Sequence, residues 1–385
     1  MRAVFVRSAV VLLVLVLSPV AGVADYKPVR CDARADYAGR PLHAPVRVDR
    51  GPGAIVDAAF DEATVQRLDA AFATLSQATA APAISAAVAV PGRGLWTRRL
   101  GEAPLLYWAS AGKAFTAVVV LQLAAEGRLD LDAPVSRWID DVPNGDAVTV
   151  RDLLAHTSGL FSANEDLKAR ASPRYRSAQE NLAIARRHGA MFCAGANWRY
   201  SNTGYDLLGA IVERVDGRPL AAAIEARIVA RLALERTRVL RADSDVRDIA
   251  PLASAKETPI DPRWPGAAGP IAADAVDMTR FLAALFDGRL VPAASVDAMS
   301  ATLYPMFDAG LYYGLGLMVF DVPDGGGRQL WIGHAGGTPG AGALMIYAPQ
   351  DRAFVAVALT GDGSAAASVN LLVKALRGAV TDRSP

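Results

Sequence analysis

The 385-residue chain predicts an α+β fold, one antiparallel sheet flanked by helices with a mostly helical lobe inserted between its two ends. Three observations carry this. A helix followed by a hairpin lies near the N-terminal end, a run of period-two and apolar segments lies near the C-terminus, and the stretch between them has helical spacing. A site in the cleft between sheet and lobe follows from that arrangement.

Taken in order, Arg2 and Arg7, the apolar run Val10 to Leu17 and the small residues Gly22-Val23-Ala24 read as a signal peptide over residues 1–24. The mature chain would begin near Asp25. An uncleaved anchor is the weaker alternative, because the run is short for a bilayer and Ser18-Pro19 interrupts it. Residues 25–55, rich in Pro, Gly and Arg without periodicity, read as an extended N-terminal segment. Residues 56–385 then form the folded domain, its helical lobe at about 114–290. From Asp61, Val65, Leu68, Phe72 and Leu75 fall at helical spacing; Ala83 to Val90, Pro91-Gly92-Arg93-Gly94 and Leu95 to Leu100 read as a hairpin. Ala114 to Glu126 is a run of helix formers ended by Gly127, and Tyr205, Leu208, Ile211, Val212 and Val215 form a second stripe ended by Gly217. Strands are expected at Leu315 to Val322, Gln329 to Gly333, Gly342 to Tyr347 and Phe354 to Thr360, then a helix from Ala365 to Leu376.

Composition excludes several functions. Hydrophobic residues make up 52% of the chain, enough for a substantial core. Removing Arg2 and Arg7 leaves 38 basic residues against 39 acidic, so there is no electrostatic case for nucleic acid. No second stretch approaches the roughly 20 apolar residues of a bilayer span, so no stable membrane insertion is expected after cleavage. A periplasmic or secreted location in a bacterium is the expected address. Export permits a disulfide between Cys31 and Cys193, the only two cysteines, while two unpaired thiols remain the alternative. Two Cys and four scattered His, with no close pair among them, argue against a structural zinc, and no cofactor is expected.

The chemistry concentrates in three places. Ser110 and Lys113, three apart at the start of a predicted helix, share one helix face. A serine hydroxyl becomes a nucleophile when a base takes its proton, and burial turns lysine into such a base by depressing its pKa. Alone, Ser-x-x-Lys is a weak signal that reads more readily as a capping serine with a solvated lysine. Tyr200-Ser201-Asn202, between a Gly-containing loop and the Tyr205 helix, offers a phenol for proton relay or as a phenolate, and an amide for a substrate carbonyl; blandly, Tyr200 is a buried aromatic and Asn202 a cap. His334-Ala335-Gly336-Gly337 follows a predicted strand, where missing side chains admit a ligand to the backbone; blandly, it is a bulge beside a surface histidine.

In that order, and with the flanks Trp108 to Thr116, Leu153 to Leu160, Trp198 to Gly217 and Gly333 to Gly340, the chain resembles the serine penicillin-recognising hydrolases, which include class C β-lactamases and D-alanyl-D-alanine carboxypeptidases. The resemblance spans about Leu105 to Thr360. It implies a β-lactamase/transpeptidase-like fold and an acyl-enzyme on Ser110, with Lys113 as neighbouring base and Tyr200 as relay to the leaving group. It also implies Asn202 as substrate amide clamp, His334 and Gly336 beside the substrate, and the amides of Ser110 and Gly337 as oxyanion hole. Where many β-lactamases have Lys-Thr-Gly, this chain has His334-Ala335-Gly336, losing a permanent cation and a hydroxyl. His334 is expected to be neutral and to hydrogen-bond Tyr200 or substrate, and Glu165 reads as a solvated loop acid. A D-alanyl-D-alanine carboxypeptidase-like or D-peptide amidohydrolase is the leading expectation, with small peptides, including peptidoglycan stems, as substrates. β-Lactam and carboxylic ester hydrolysis are alternatives, as is a penicillin-binding sensor without turnover. No Gly-x-Ser-x-Gly elbow occurs, which disfavours an α/β-hydrolase.

Overall fold

Alternation along a central strand builds the core from both faces of one sheet. In β1 (Ile84–Val90) every residue is buried: Ala86, Val88 and Val90 point to one side, Ala87 and Ala89 to the other. The first face meets Leu68 and Leu75 of helix α1 (Glu62–Thr79) and Val369 and Leu372 of the C-terminal helix Ala365–Arg377. The second meets Phe281 and Phe286 of the helix Ala275–Phe286. Each such buried Val, Leu or Phe contributes roughly 1.5–3 kcal/mol, which is why a sheet covered on both sides tolerates so much alanine between them. α1 begins where expected, its N-cap Asp61 accepting from the Thr64 amide at 2.9 Å.

The computed structural model describes residues 26–48, 53–172, 174–324 and 327–378. The expected signal peptide and the turn glycines Gly325-Gly326 lie outside them. Eleven strands are present among the described residues: β1; β2 (Gly94–Leu100); β3 (Leu106–Tyr107); β4 (Thr237–Val239); β5 (Ile271–Ala273); β6 (Tyr304–Pro305); β7 (Leu311–Tyr313); β8 (Met318–Asp324); β9 (Gly327–Thr338); β10 (Ala341–Ala348); and β11 (Ala353–Thr360). They form an antiparallel eight-stranded sheet, ordered β2-β1-β11-β10-β9-β8-β7-β6, and a small sheet ordered β3-β5-β4. The fold is α+β, as the sequence predicts.

Between β3 and β4 the chain is helical: α2 (Lys113–Ala125), α3 (Val150–Ala155), α4 (Leu167–Ala171), α5 (Ala178–His188) and α6 (Asn202–Asp216). The short strands β3 to β7 were invisible to periodicity, since two or three residues carry no repeat. The larger difference is β9. The sequence ends this strand at Gly333, where apolar residues give way to glycines, yet pairing with β10 continues to Thr338 opposite Ala341. β8 leaves β9 at Gly333, so residues 334–338 have no strand partner on that side among the described residues. Residues 26–48 run extended over the helical elements, touching them through isolated bridges such as Val29 to Ala190. Cys31 and Cys193 are joined as a disulfide with Cα atoms 5.7 Å apart.

Candidate active site

Ser110 stands on a tight turn rather than on an α-helix. Residues Ala109–Gly112 form a 3-10 turn and α2 begins at Lys113, within one residue of the expected Ala114, so Ser110 precedes the α-helix instead of sharing it. Ala109 sits at φ +46°, a left-handed conformation that costs an alanine free energy and that surrounding structure must enforce. Enforcement comes from both flanks. Trp108 is fully buried, donating its backbone amide to Ile271 and its indole N–H to Ala273, each at 3.0 Å. From the opposite side β9 presses so closely that a Cβ on Gly336 would lie 2.1 Å from the Trp108 carbonyl oxygen and 3.0 Å from the Ser110 amide nitrogen.

Lys113 reaches three acceptors: Ser110 Oγ at 3.2 Å, Asn202 Oδ1 at 2.7 Å and the Ala268 carbonyl at 2.8 Å. An ammonium donates to all three. A neutral amine has two N–H bonds and one lone pair, so with Asn202 and Ala268 occupying the hydrogens the lone pair falls to the serine proton. Burial pushes the lysine down to about 7, opposed by the Asp206 carboxylate. Asp206, on α6, is itself pushed up to about 7 by burial, against a 2.8 Å hydrogen bond from Asn181 and the attraction of Lys113. The Lys113 nitrogen also lies 4.8 Å from the Tyr200 ring centre and 5.3 Å from that of Tyr205.

Tyr200 precedes α6. Tyr200 is partly buried, and desolvation raises its phenol above the ordinary tyrosine range with Ser110 acting in the opposite direction, which favours the neutral O–H over a phenolate. Ser201, not Asn202, caps α6, accepting from the Gly204 amide at 3.3 Å; Asn202 is the first helical residue and its side chain is free to face Lys113. Its other end donates to Asn164 Oδ1 at 3.0 Å. Tyr200 is also clamped from behind. The amides on either side of it, Arg199 and Ser201, donate to the carbonyl oxygen (2.9 Å) and to Nδ1 (3.2 Å) of the same residue, His156. His156 is buried at φ +61°, its proton is therefore on Nε2, and that nitrogen has no hydrogen-bond partner among the rings of Tyr200, Tyr205 and Tyr313 that surround it.

His334 differs from its expected role. It is 1% exposed and both ring nitrogens are taken within the protein: Nδ1 lies 2.6 Å from the Ala335 carbonyl and Nε2 2.9 Å from the Tyr313 hydroxyl. The carbonyl needs a donor, so Nδ1 carries the proton and Nε2 accepts from Tyr313. Burial, then the Lys113 charge, pushes it down to about 3. It is neutral, as expected, but its partner is Tyr313 rather than Tyr200, and it has no nitrogen left for a substrate. The Tyr205 hydroxyl lies 3.1 Å from both the Tyr313 oxygen and the Leu154 carbonyl, and its single proton serves one of these two acceptors at a time. Glu165 is not solvated either. It pairs with Arg199 at 2.5 Å and is mostly buried.

The structure thus gathers Ser110, Lys113, Tyr200, Asn202, Gly336 and Gly337 at one place, with His334 behind them. Asn164, Tyr313 and the Ala268 carbonyl carry no local signal in the sequence; His156 and Asp206 lie within the Leu153 to Leu160 and Trp198 to Gly217 flanks, where no role marks them. At the rim, Phe307 is 52% exposed and packs on Trp198 and Tyr200, ring centres 5.4 and 6.1 Å apart. Among the described residues no His, Cys, Asp and Glu grouping suits a metal ion.

With that geometry in view, the Beta-lactamase family model matches residues 68–378. Esterase EstB of Burkholderia gladioli is 35% identical over 204 residues, 44% of this chain and 50% of that protein. The D-stereospecific amidohydrolase of a Streptomyces species superposes with a TM-score of 0.67 at 31% identity, covering 83% of this chain and 99% of that one. The D-amino acid amidase of Ochrobactrum anthropi SV3, complexed with L-phenylalanine, gives 0.71 at 25% identity, covering 83% and 98%. The chain spans about half the length of the curated relatives it matches.

Proposed function

The chain belongs to the Beta-lactamase family, and on that premise we propose that it is a serine hydrolase that acylates Ser110 and takes small D-amino-acid amides or peptides as substrates. The observation that carries this is the Lys113 nitrogen, with two acceptors engaged and Ser110 Oγ as the third neighbour. Neutral Lys113 takes the hydroxyl proton as Oγ attacks the scissile carbonyl carbon. The resulting oxyanion is held by the amides of Ser110 and Gly337, which the close seat of Gly336 against the nucleophile turn brings together. Tyr200, kept protonated by burial, passes a proton to the leaving amine or alcohol as the C–N or C–O bond breaks, and is reprotonated from Lys113. Water then hydrolyses the ester on Ser110 by the reverse relay. Asn202 holds Lys113 with one lone pair of Oδ1 and offers the other to a substrate N–H.

Amide substrates are favoured by the likeness to a D-stereospecific amidohydrolase and a D-amino acid amidase. The aromatic rim of Trp198 and Phe307 suits an apolar or aromatic group on the Tyr200 side of the cleft. Exported bacterial enzymes of this chemistry meet peptidoglycan stem peptides, so a periplasmic or secreted carboxypeptidase fits the sequence equally. Ester hydrolysis is the second reading, favoured by the likeness to EstB.

Turnover on D-phenylalaninamide, a D-Ala-D-Ala peptide, a short acyl ester and a chromogenic cephalosporin, measured side by side, tests the assignment. The amide should be turned over with D over L preference, and a fluorophosphonate should label Ser110 in the wild type but not in Ser110→Ala. Labelling that persists at another serine, or acylation without turnover on every substrate, would point to a different nucleophile or to a binding sensor.

A further inference from the structure

The described N-terminal segment, residues 26–48, lies ahead of the family-matched region yet is bonded into the support of Tyr200. Its backbone donates from Val29 to Ala190 (2.9 Å), Ala35 to Ala194 (2.8 Å) and Ala38 to Ala196 (2.9 Å), the loop that runs directly into Trp198 and Tyr200. The Cys31–Cys193 bridge sits in the middle of this ladder. Contact is close enough that a Cβ on Gly195, already at φ +85°, would come within 2.4 Å of the Ala35 carbonyl. On its other side the loop is bonded to the Leu153 to Leu160 block, Met191 donating to Gly159 (2.8 Å) and Gly195 to Thr157 (2.9 Å).

A second link reaches the same place through a buried charge. Arg34 lays its guanidinium on Asp152, with Nη2 3.1 Å and Nε 3.2 Å from Oδ1, and the Asp152 side chain is wholly buried. Asp152 uses its oxygens to accept from the Thr157 hydroxyl (2.7 Å) and from the amide and hydroxyl of Thr149 (3.1 and 2.8 Å), closing the capping box of α3. The residue that ends α3 is His156, whose carbonyl and Nδ1 grip the two amides flanking Tyr200. A buried carboxylate without its cation is costly, so Arg34 constrains Asp152, Asp152 constrains the turn to His156, and His156 constrains Tyr200.

We propose that Arg34 and the Cys31–Cys193 disulfide are positioning residues for Tyr200, and that the N-terminal strap is a working part of the active site rather than a passive lead-in. The inference rests on the role given to Tyr200 above. It locates the strap's effect in proton transfer to the leaving group. Loosening the strap should therefore lower kcat while substrate contacts, and so KM, change little. An error of about 1 Å in a relay costs on the order of 100-fold in rate, and partial loosening should cost less.

The test compares oxidised wild type, wild type treated with a dithiol reductant that converts the bridge to two thiols, Arg34→Lys, Arg34→Ala, Tyr200→Phe and the Arg34→Ala/Tyr200→Phe double variant. Each is assayed on the substrate that wild type turns over fastest. Reduction and Arg34→Ala should each lower kcat about 10-fold or more with KM within twofold, and Arg34→Lys, which returns a charge to Asp152, should recover part of the loss. In the Tyr200→Phe background Arg34→Ala should have little further effect, because the group it positions is gone. If Arg34→Ala fails to fold, reduced wild type and Arg34→Lys decide the matter. Unchanged kcat in both, in folded protein with free thiols verified by titration, overturns the strap inference. Wild-type turnover in Tyr200→Phe overturns instead the proposed role of the tyrosine, so the two failures are distinguishable.

Discussion

The Lys113 amine sets the pH response of the site. Its protonated form cannot take the Ser110 proton, so kcat/KM should rise with pH below roughly 7, about tenfold per unit, and level off above it. The stability consequence has the same direction. Between about 7 and the ordinary lysine value of 10.5 the unfolded chain binds more protons at this position than the folded one, so unfolding free energy should increase with pH across that window. His334 acts likewise lower down: with a folded value of about 3, its contribution is complete above its ordinary 6.5 and is lost as pH falls toward 3. Activity between pH 6 and 8 should therefore be indifferent to His334 ionisation. Tyr313→Phe removes the donor to His334 Nε2 and leaves a buried acceptor unpaired, which should cost about 1–3 kcal/mol in denaturant unfolding. His334→Gln, able to keep one hydrogen bond, should retain more activity than His334→Ala, and equal activities would remove the network from any account of catalysis.

At the scale of elements, the site depends on how closely β9 rides over the nucleophile turn. Gly336→Ala would drive a methyl group into the Trp108 carbonyl, and either β9 or the turn carrying Ser110 must move. The expected outcome is at least a 100-fold loss of turnover. Gly342→Ala on β10 is the matched control, since its added Cβ would meet neighbours no closer than 3.5 Å. It should be nearly neutral, and comparable losses in both variants would mean that glycine in the sheet, not the seat on Ser110, is what matters. The same closeness explains why the hydrophobic pattern of β9 stops at Gly333 while its pairing runs on to Thr338. The residues that let a strand approach another backbone are those that erase its hydrophobic alternation.

For the whole molecule, the Cys31–Cys193 bridge spans a sequence separation of 162 and joins the extended segment to the helical elements. A loop of that size should contribute about 3–5 kcal/mol through the unfolded state, measurable as a lower unfolding midpoint after reduction. Ser-x-x-Lys, Tyr-x-Asn and the His-Ala-Gly-Gly run were legible in order because each is a local cluster of chemistry-bearing residues, and the α+β class was legible because hairpin, helices and meander each carry their own period. What sequence left open was every relation across the chain: whether the two thiols meet, that the third acceptor of Lys113 is a main-chain carbonyl at Ala268, that Asp206 shares its charge, that His334 turns to Tyr313, and that Arg34 finds Asp152. Local pattern depends on neighbours within a turn or two, which the sequence states outright. Burial and charge pairing are set by residues from about twenty to more than a hundred and fifty positions away, and only the packed fold brings these close enough to shift a proton.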